Sequence, residues 1–244
     1  MIYAIGDIHG HLDQLKAAHA LIAADRARAG GAAARIVHVG DLVDRGPDAR
    51  GVIQFLIDGI ACGEDWIVLC GNHDRCFVEF LSCNFDSSEG LQNAWFWLST
   101  GMGGRATLAS YGLERDVPED FASLFAQARS LVPDTHREFL AALPFWHRED
   151  GMIFVHAGIR PGIPMNEQDE DDLVWIREEF HWHRDDHEAL IVHGHTPVYA
   201  PTHYGNRVNI DAGAAMGRPI VPVVFDGGEC HLLNTRGRER LTVP

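Results

Sequence analysis

Residues 2–10 read Ile2-Tyr3-Ala4-Ile5-Gly6-Asp7-Ile8-His9-Gly10. A short apolar run ends on a glycine, and two metal-ligand residues follow, two positions apart. The pattern returns at Arg35–Val39 before Gly40-Asp41-Leu42-Val43-Asp44-Arg45-Gly46, and at Trp66–Cys70 before Gly71-Asn72-His73-Asp74. Between the runs, Leu12–Ala29 has helical spacing and stops at Gly30-Gly31, and Asp48–Cys62 reads as a helix entered through Pro47. The first 75 residues therefore read β-α-β-α-β, the pattern of a parallel sheet flanked by helices. In such sheets ligands gather beyond the carboxyl ends of the strands, where Asp7, Asp41 and Asn72 fall.

Further along, Met152–Val155, Ala189–Val192, Arg207–Ile210, Ile220–Phe225 and Cys230–Leu233 read as short strands of a second, mixed or antiparallel sheet packed on the first. The stretch from about residue 76 to 148 carries no ligand cluster and reads as a helical insertion shaping access to the site. Its Trp95-Phe96-Trp97-Leu98 run is expected in the core, because aromatic side chains dominate core energetics. Asn166–Asp172 reads as an exposed acidic loop, and Arg236–Arg240 as a solvated tail. The expected organisation is one domain over residues 1–244.

Asp7 and His9 offer a carboxylate oxygen and an imidazole nitrogen, a donor set that suits Mn²⁺, Fe or Zn²⁺ better than Mg²⁺. Asp41 can bridge two ions through its two oxygens, and Asn72 offers a neutral carbonyl oxygen. His156 and His195 each end an apolar run beside a glycine and can each give one nitrogen. His193 is expected behind them as a supporting or packing residue. His73, adjacent to Asn72, would point elsewhere; an imidazole near the ions but not on them suits a proton donor. Asp44 can orient that imidazole, and Arg45 can fork onto phosphate oxygens. Arg177, taken alone, reads as a surface side chain. His181, His183 and His187 read as a solvated face.

The formal net charge of −15 opposes direct binding of nucleic acid. No run is apolar and long enough to span a bilayer. Five cysteines without a CxxC pair fit a reducing compartment, and with a strand beginning at residue 2 the cytoplasm is the expected location.

In order and spacing, these phrases resemble the calcineurin-like metallophosphoesterases, and within them the small bacterial and phage-type serine/threonine phosphatases. Trp97–Ser99 with the Gly101–Gly104 turn, Phe139–Pro144 and Asn209–Ala214 add to the resemblance, which runs from Ile2 to about Gly228. It implies a four-layer α-β-β-α sandwich with two divalent metal ions at the sheet junction, Mn²⁺ first among them. It places Asp7 and His9 on one ion, Asp41 between both, and Asn72, His156 and His195 on the second. It makes His73 the general acid backed by Asp44. Arg45 and Arg177 clamp the phosphoryl group, with Asn72 also beside the substrate, and this assigns Arg177 the role its own chemistry did not.

The activity implied is phosphomonoester hydrolysis by a metal-bridging water, with phosphoserine or phosphothreonine proteins or small phosphoesters as substrates. Asp74 stands where protein phosphatases usually have Glu, and is common in symmetrical diadenosine tetraphosphate hydrolases. Those typically lack the Asp found here at position 44. Dinucleoside polyphosphate hydrolysis is therefore the alternative, and a metal-stabilised binding module without turnover is a second one. The sequence does not specify the oligomeric state.

Overall fold

The computed structural model describes residues 1–31, 33–83, 87–113 and 121–243. Parts of the expected insertion, residues 84–86 and 114–120, lie outside the described residues. The expected parallel core is present. β1 (Ile2–Ile5), β2 (Arg35–His38) and β3 (Trp66–Val68) pair in parallel, with α1 (Leu12–Arg28) and α2 (Ala49–Ala61) as crossovers. Asp48 caps α2, accepting from the Gly51 N–H at 2.8 Å. Three later strands complete this sheet on the antiparallel side of β1: β9 (Val223–Asp226), β10 (Glu229–Asn234) and β11 (Gly237–Arg240), giving the order β11-β10-β9-β1-β2-β3.

The second sheet holds β4 (Trp146–Glu149), β5 (Met152–Val155), β6 (Leu190–His193), β7 (Thr202–His203) and β8 (Arg207–Asn209) in the order β4-β5-β6-β8-β7. Alternation along each strand sorts the side chains into layers. Ile2 and Ala4 of β1 face Phe154, Val192 and Val208 across the sheet junction. Tyr3 and Ile5 face the other way, into a core with Leu15, Ile22, Val52 and Leu56 of the two crossover helices. That core extends over α3 (Asn72–Ser82), α4 (Ser88–Trp97), α5 (Gly104–Ser110), α6 (Phe121–Leu131) and α7 (Asp134–Ala141) through Phe77, Phe80, Trp97, Leu108, Leu124 and Leu140. On the far side, α8 (Glu170–Trp175) and α9 (Glu178–Trp182) cover Ile153, Val155 and Ile191 with Leu173 and Phe180. The arrangement is the expected α-β-β-α sandwich.

Several local expectations change. The acidic stretch Asn166–Asp172 is not a loop: a 3-10 turn at Met165–Glu167 precedes α8, and Asp169 caps it by accepting from the Asp171 N–H at 2.9 Å. Glu170, Asp171 and Asp172 then occupy its first turn, where carboxylates favour the positive end of the helix dipole. Residues 236–240 are not a free tail but include edge strand β11, anchored by Arg238 to Asp25 and Asp226. The span from 76 to 148 is not wholly helical, since β4 closes it, and its first helix already begins at Asn72. The aromatic run divides: Trp97 is buried, whereas Trp95 and Phe96 are 53% and 51% exposed.

Candidate active site

The ends of β1, β2 and β3 from one sheet and of β5 and β6 from the other converge on one place. The first turn is tight because Gly6 lies against the second sheet; a Cβ there would sit 2.3 Å from the Ile210 carbonyl oxygen. Among the described residues, six non-glycine positions have φ in the left-handed region, and five of them are His9, Asp41, Asp44, Arg45 and His195. Such backbone is costly for residues with a Cβ, and it concentrates here as at functional sites generally.

One group of potential metal donors forms around Asp41 Oδ2. His9 Nε2 lies 3.5 Å from it and His73 Nε2 3.9 Å. His9 directs Nδ1 at the Val43 carbonyl at 3.0 Å, which keeps a proton on that nitrogen and leaves the Nε2 lone pair facing the carboxylates. Asp7 Oδ2 stands 4.0 Å from His9 Nε2. Burial first, then Asp211 and Asp41, hold the Asp7 carboxyl well above its usual range. Two carboxyls buried this close favour holding a proton between them, which a cation would displace.

The second group meets Asp41 from the other side. Asp41 Oδ1 is 3.4 Å from His156 Nε2. His156 Nε2, His195 Nδ1 and Asn72 Oδ1 lie 2.9–3.2 Å from one another. His156 Nδ1 donates to Val39 O at 2.9 Å, so its Nε2 also presents a lone pair. Burial lowers the His156 ring to about 3 and holds His195 well below the usual histidine range, so both are neutral ligands at neutral pH. A cluster of lone pairs with at most one proton among them fits a cation. Asp41 thus belongs to two buried His/Asp groups, each able to hold a metal ion.

His73 belongs to the first of these groups by distance, and a second contact distinguishes it. Its Nδ1 is 2.7 Å from Asp44 Oδ2, and that oxygen also accepts from Trp97 Nε1 at 2.9 Å. The Thr107 hydroxyl donates to Asp44 Oδ1 at 2.6 Å. Burial pushes Asp44 up to about 8, against the pull of Thr107, Trp97 and Arg45. Burial, Arg45 and Arg177 lower His73 to about 3. The protonated-carboxyl and ion-pair forms of this dyad hold the same two protons. In either form one proton is on Nε2, on the side facing Asp41.

Arg45 extends from the left-handed turn after β2, with Nη1 3.5 Å from His9 Nε2 and Nη2 donating to Gly101 O at 3.2 Å. Arg177 Nε donates to His195 Nε2 at 3.0 Å. A cation on His195 Nδ1 would leave the ring proton on Nε2, and the guanidinium would then have to turn outward. His193, two residues before His195, is buried, packed edge-on against Phe180 and 3.1 Å from Arg207 Nη1. His183 and His187 lie against each other with rings tilted by 33°, and neither joins a metal-holding group among the described residues.

Sequence reasoning overlooked Asp211, Thr107 and the indole of Trp97. The run Asn209–Ala214 was singled out without its carboxylate, and the separations of 63 and 53 residues gave no local sign of the other two. Asp74 does not face the opening. It accepts from the Leu42 and Gly71 amides, both at 2.9 Å, and ties the Asp41 loop to the start of α3.

Buried His/Asp groups sharing one carboxylate at the junction of two sheets are the centre of a metallophosphoesterase. The chain belongs to the calcineurin-like phosphoesterase family, whose sequence model matches residues 1–224. It is 26% identical over 200 residues to the asymmetrical bis(5'-nucleosyl)-tetraphosphatase PrpE of Bacillus mycoides, covering 75% of this chain and 72% of that protein. With the enzyme of the same name from Halalkalibacterium halodurans it shares 27% identity over 242 residues, 91% of this chain and 88% of that one. Among solved structures, a candidate diadenosine tetraphosphatase superposes with a TM-score of 0.63 at 21% identity, over 97% of this chain and 94% of that one. The cold-active protein-tyrosine phosphatase of a psychrophilic Shewanella species gives 0.61 at 16%, over 99% and 80%. Both likenesses are of fold. Among the described residues, no helix is long and apolar enough to cross a membrane.

Proposed function

We propose that the chain is a metal-dependent hydrolase of dinucleoside tetraphosphates, cleaving them asymmetrically into a nucleoside triphosphate and a nucleoside monophosphate. The observation that carries hydrolysis is the pair of buried donor groups sharing Asp41, with the His73–Asp44 dyad at their edge. The relatives named for this activity support the substrate class, and they support asymmetrical rather than the symmetrical cleavage considered from the sequence.

Asp7, His9 and Asp41 would hold one ion, and Asp41, Asn72, His156 and His195 the other. When bound, two divalent cations supply an acidified water as nucleophile and polarise the phosphoryl oxygens. Arg45 and Arg177 bind and orient the phosphoryl group, and their charge favours the electron-rich transition state. As a water oxygen adds to phosphorus and the anhydride P–O bond breaks, His73 passes its Nε2 proton to the leaving oxygen. Asp44, held by Trp97 and Thr107, keeps the imidazole in the donating orientation.

Serine/threonine phosphoprotein hydrolysis is the second reading, and the dyad favours it. Proton donation matters most for a poor alkoxide leaving group, whereas a terminal phosphate with a second pKa of about 6 leaves readily. Product analysis on diadenosine tetraphosphate, run beside a phosphopeptide panel with Mn²⁺, decides between them. Equal amounts of ATP and AMP, at a kcat/KM above that of every phosphopeptide, are expected. Phosphopeptide turnover far above the dinucleotide's would sink the first reading, and two ADP would sink asymmetrical cleavage.

A further inference from the structure

One guanidinium near the centre has no assigned work. Arg218 follows the 3-10 turn Ala214–Met216. Its guanidinium is seated on the bare face of Gly213: a Cβ there would lie 2.0 Å from Arg218 Nη2 and 2.3 Å from Nε. The backbone receives it deliberately, with the Arg218 N–H donating to Gly213 O at 3.2 Å and Gly213 at φ +90°. Its charge offsets part of the burial penalty on the Asp211 carboxyl, but without a direct pair. Among the described residues Arg218 makes no ion pair within 4.0 Å, its buried Nε has no partner, and Nη2 reaches only the Met216 sulfur at 3.6 Å. A guanidinium carries five donors, and an arginine held this way is built for an anion arriving from outside.

Its surroundings place it beside the reacting centre. Gly213 N–H donates to Asp211 Oδ1 at 2.8 Å, and the Asp211 amide lies against Gly6, the residue before Asp7, where a Cβ would stand 3.2 Å from it. The Val198 N–H donates to Asp211 O at 2.9 Å, which pins the loop after β6 to the same point. That loop carries His195 and, four residues on, Tyr199. Tyr199 is 91% exposed, and Arg218 Cζ stands 6.0 Å from its ring centre. A solvent-facing aromatic ring next to an unpaired guanidinium offers a stacking face and an anion site together.

We propose that Arg218 and Tyr199 form an outer subsite for a nucleotide: Arg218 binds a phosphate beyond the one being attacked, and Tyr199 stacks against the attached base. This rests on the dinucleoside tetraphosphate reading and explains how such a substrate is told from a simple phosphomonoester. A phosphomonoester held by Arg45 and Arg177 has no second phosphate to offer Arg218.

Calorimetric titration of the Mn²⁺-loaded full chain with diadenosine tetraphosphate at low temperature tests the subsite, with inorganic tripolyphosphate as the baseless probe. Tyr199→Ala is expected to raise the dinucleotide Kd about 5- to 100-fold, the range for losing a stacked base, and to leave tripolyphosphate binding as it was. Arg218→Ala is expected to weaken both ligands, with Arg218→Lys recovering part of the loss. Unchanged thermal midpoints exclude misfolding, and Tyr199→Phe, which keeps the ring, should bind as the parent does. No dinucleotide binding by the parent, or binding that neither variant weakens, overturns the proposal. Tight dinucleotide binding that depends on both residues, without ATP and AMP release, would leave the subsite standing and remove the substrate reading.

Discussion

His73 is the residue on which the hydrolytic reading turns. Its Nδ1 is held by a buried carboxylate that two other side chains also hold, so the ring has one orientation. His73→Asn should lower kcat on para-nitrophenyl phosphate roughly 10²- to 10⁴-fold with bound metal unchanged, as for loss of a general acid; elemental analysis of the purified variant checks the second half. Metal lost along with activity would make His73 a ligand, which its 3.9 Å distance from Asp41 Oδ2 makes a fair contest. Asp41→Asn, in contrast, should strip both ions, since both donor groups contain that carboxylate. At this scale the sequence was most readable where each donor follows an apolar strand, through a glycine at Asp7, Asp41, Asn72 and His195 and directly at His156. It was least readable where a buried carboxyl owes its role to a partner far along the chain. Asp211 meets Asp7 across the sheets, and Asp44 meets Trp97 and Thr107 across α4 and α5. Asp74 illustrates the converse: its identity looked like a sign of substrate, and its side chain bonds two backbone amides.

Elements set how well those residues are aimed. The turn after β1 passes so close to the second sheet that Gly6→Ala would drive a methyl into the Ile210 carbonyl. We expect a loss of about 1–3 kcal/mol, as for overpacking elsewhere, read as a lower denaturant midpoint. The strands that escaped sequence reading share a cause. β4 reads Trp-His-Arg-Glu, β7 Thr-His and β11 Gly-Arg-Glu-Arg, and all three are edge strands, short or charged on the rim, which guards against further pairing. The central strands, covered on both sides, announce themselves as apolar runs. α8 escaped because its acidic start is a helix signal only once its cap and dipole are considered.

At the scale of the whole molecule, buried histidines away from the centre set its response to acid. His19 and His38 meet at 3.1 Å beneath Trp66, and burial lowers them to about 4 and about 3. Their folded values lie below the unfolded value, so their contribution is complete above about pH 6.5 and drains away as pH falls toward 4. Going from pH 7.5 to pH 5 should cost on the order of 4 kcal/mol in urea unfolding, about half from each ring, and His38→Phe should flatten that slope. The junction of the sheets has another consequence. Donors to the second group come from Asp41 and Asn72 beside one sheet and from His156 and His195 beside the other, so the centre closes only when both halves have met. Uptake of the second cation is therefore a late event in the life of each molecule. A ribosome-bound chain lacking β6 has no His195 to offer, and during synthesis the arrival of the second ion would mark a nearly finished fold.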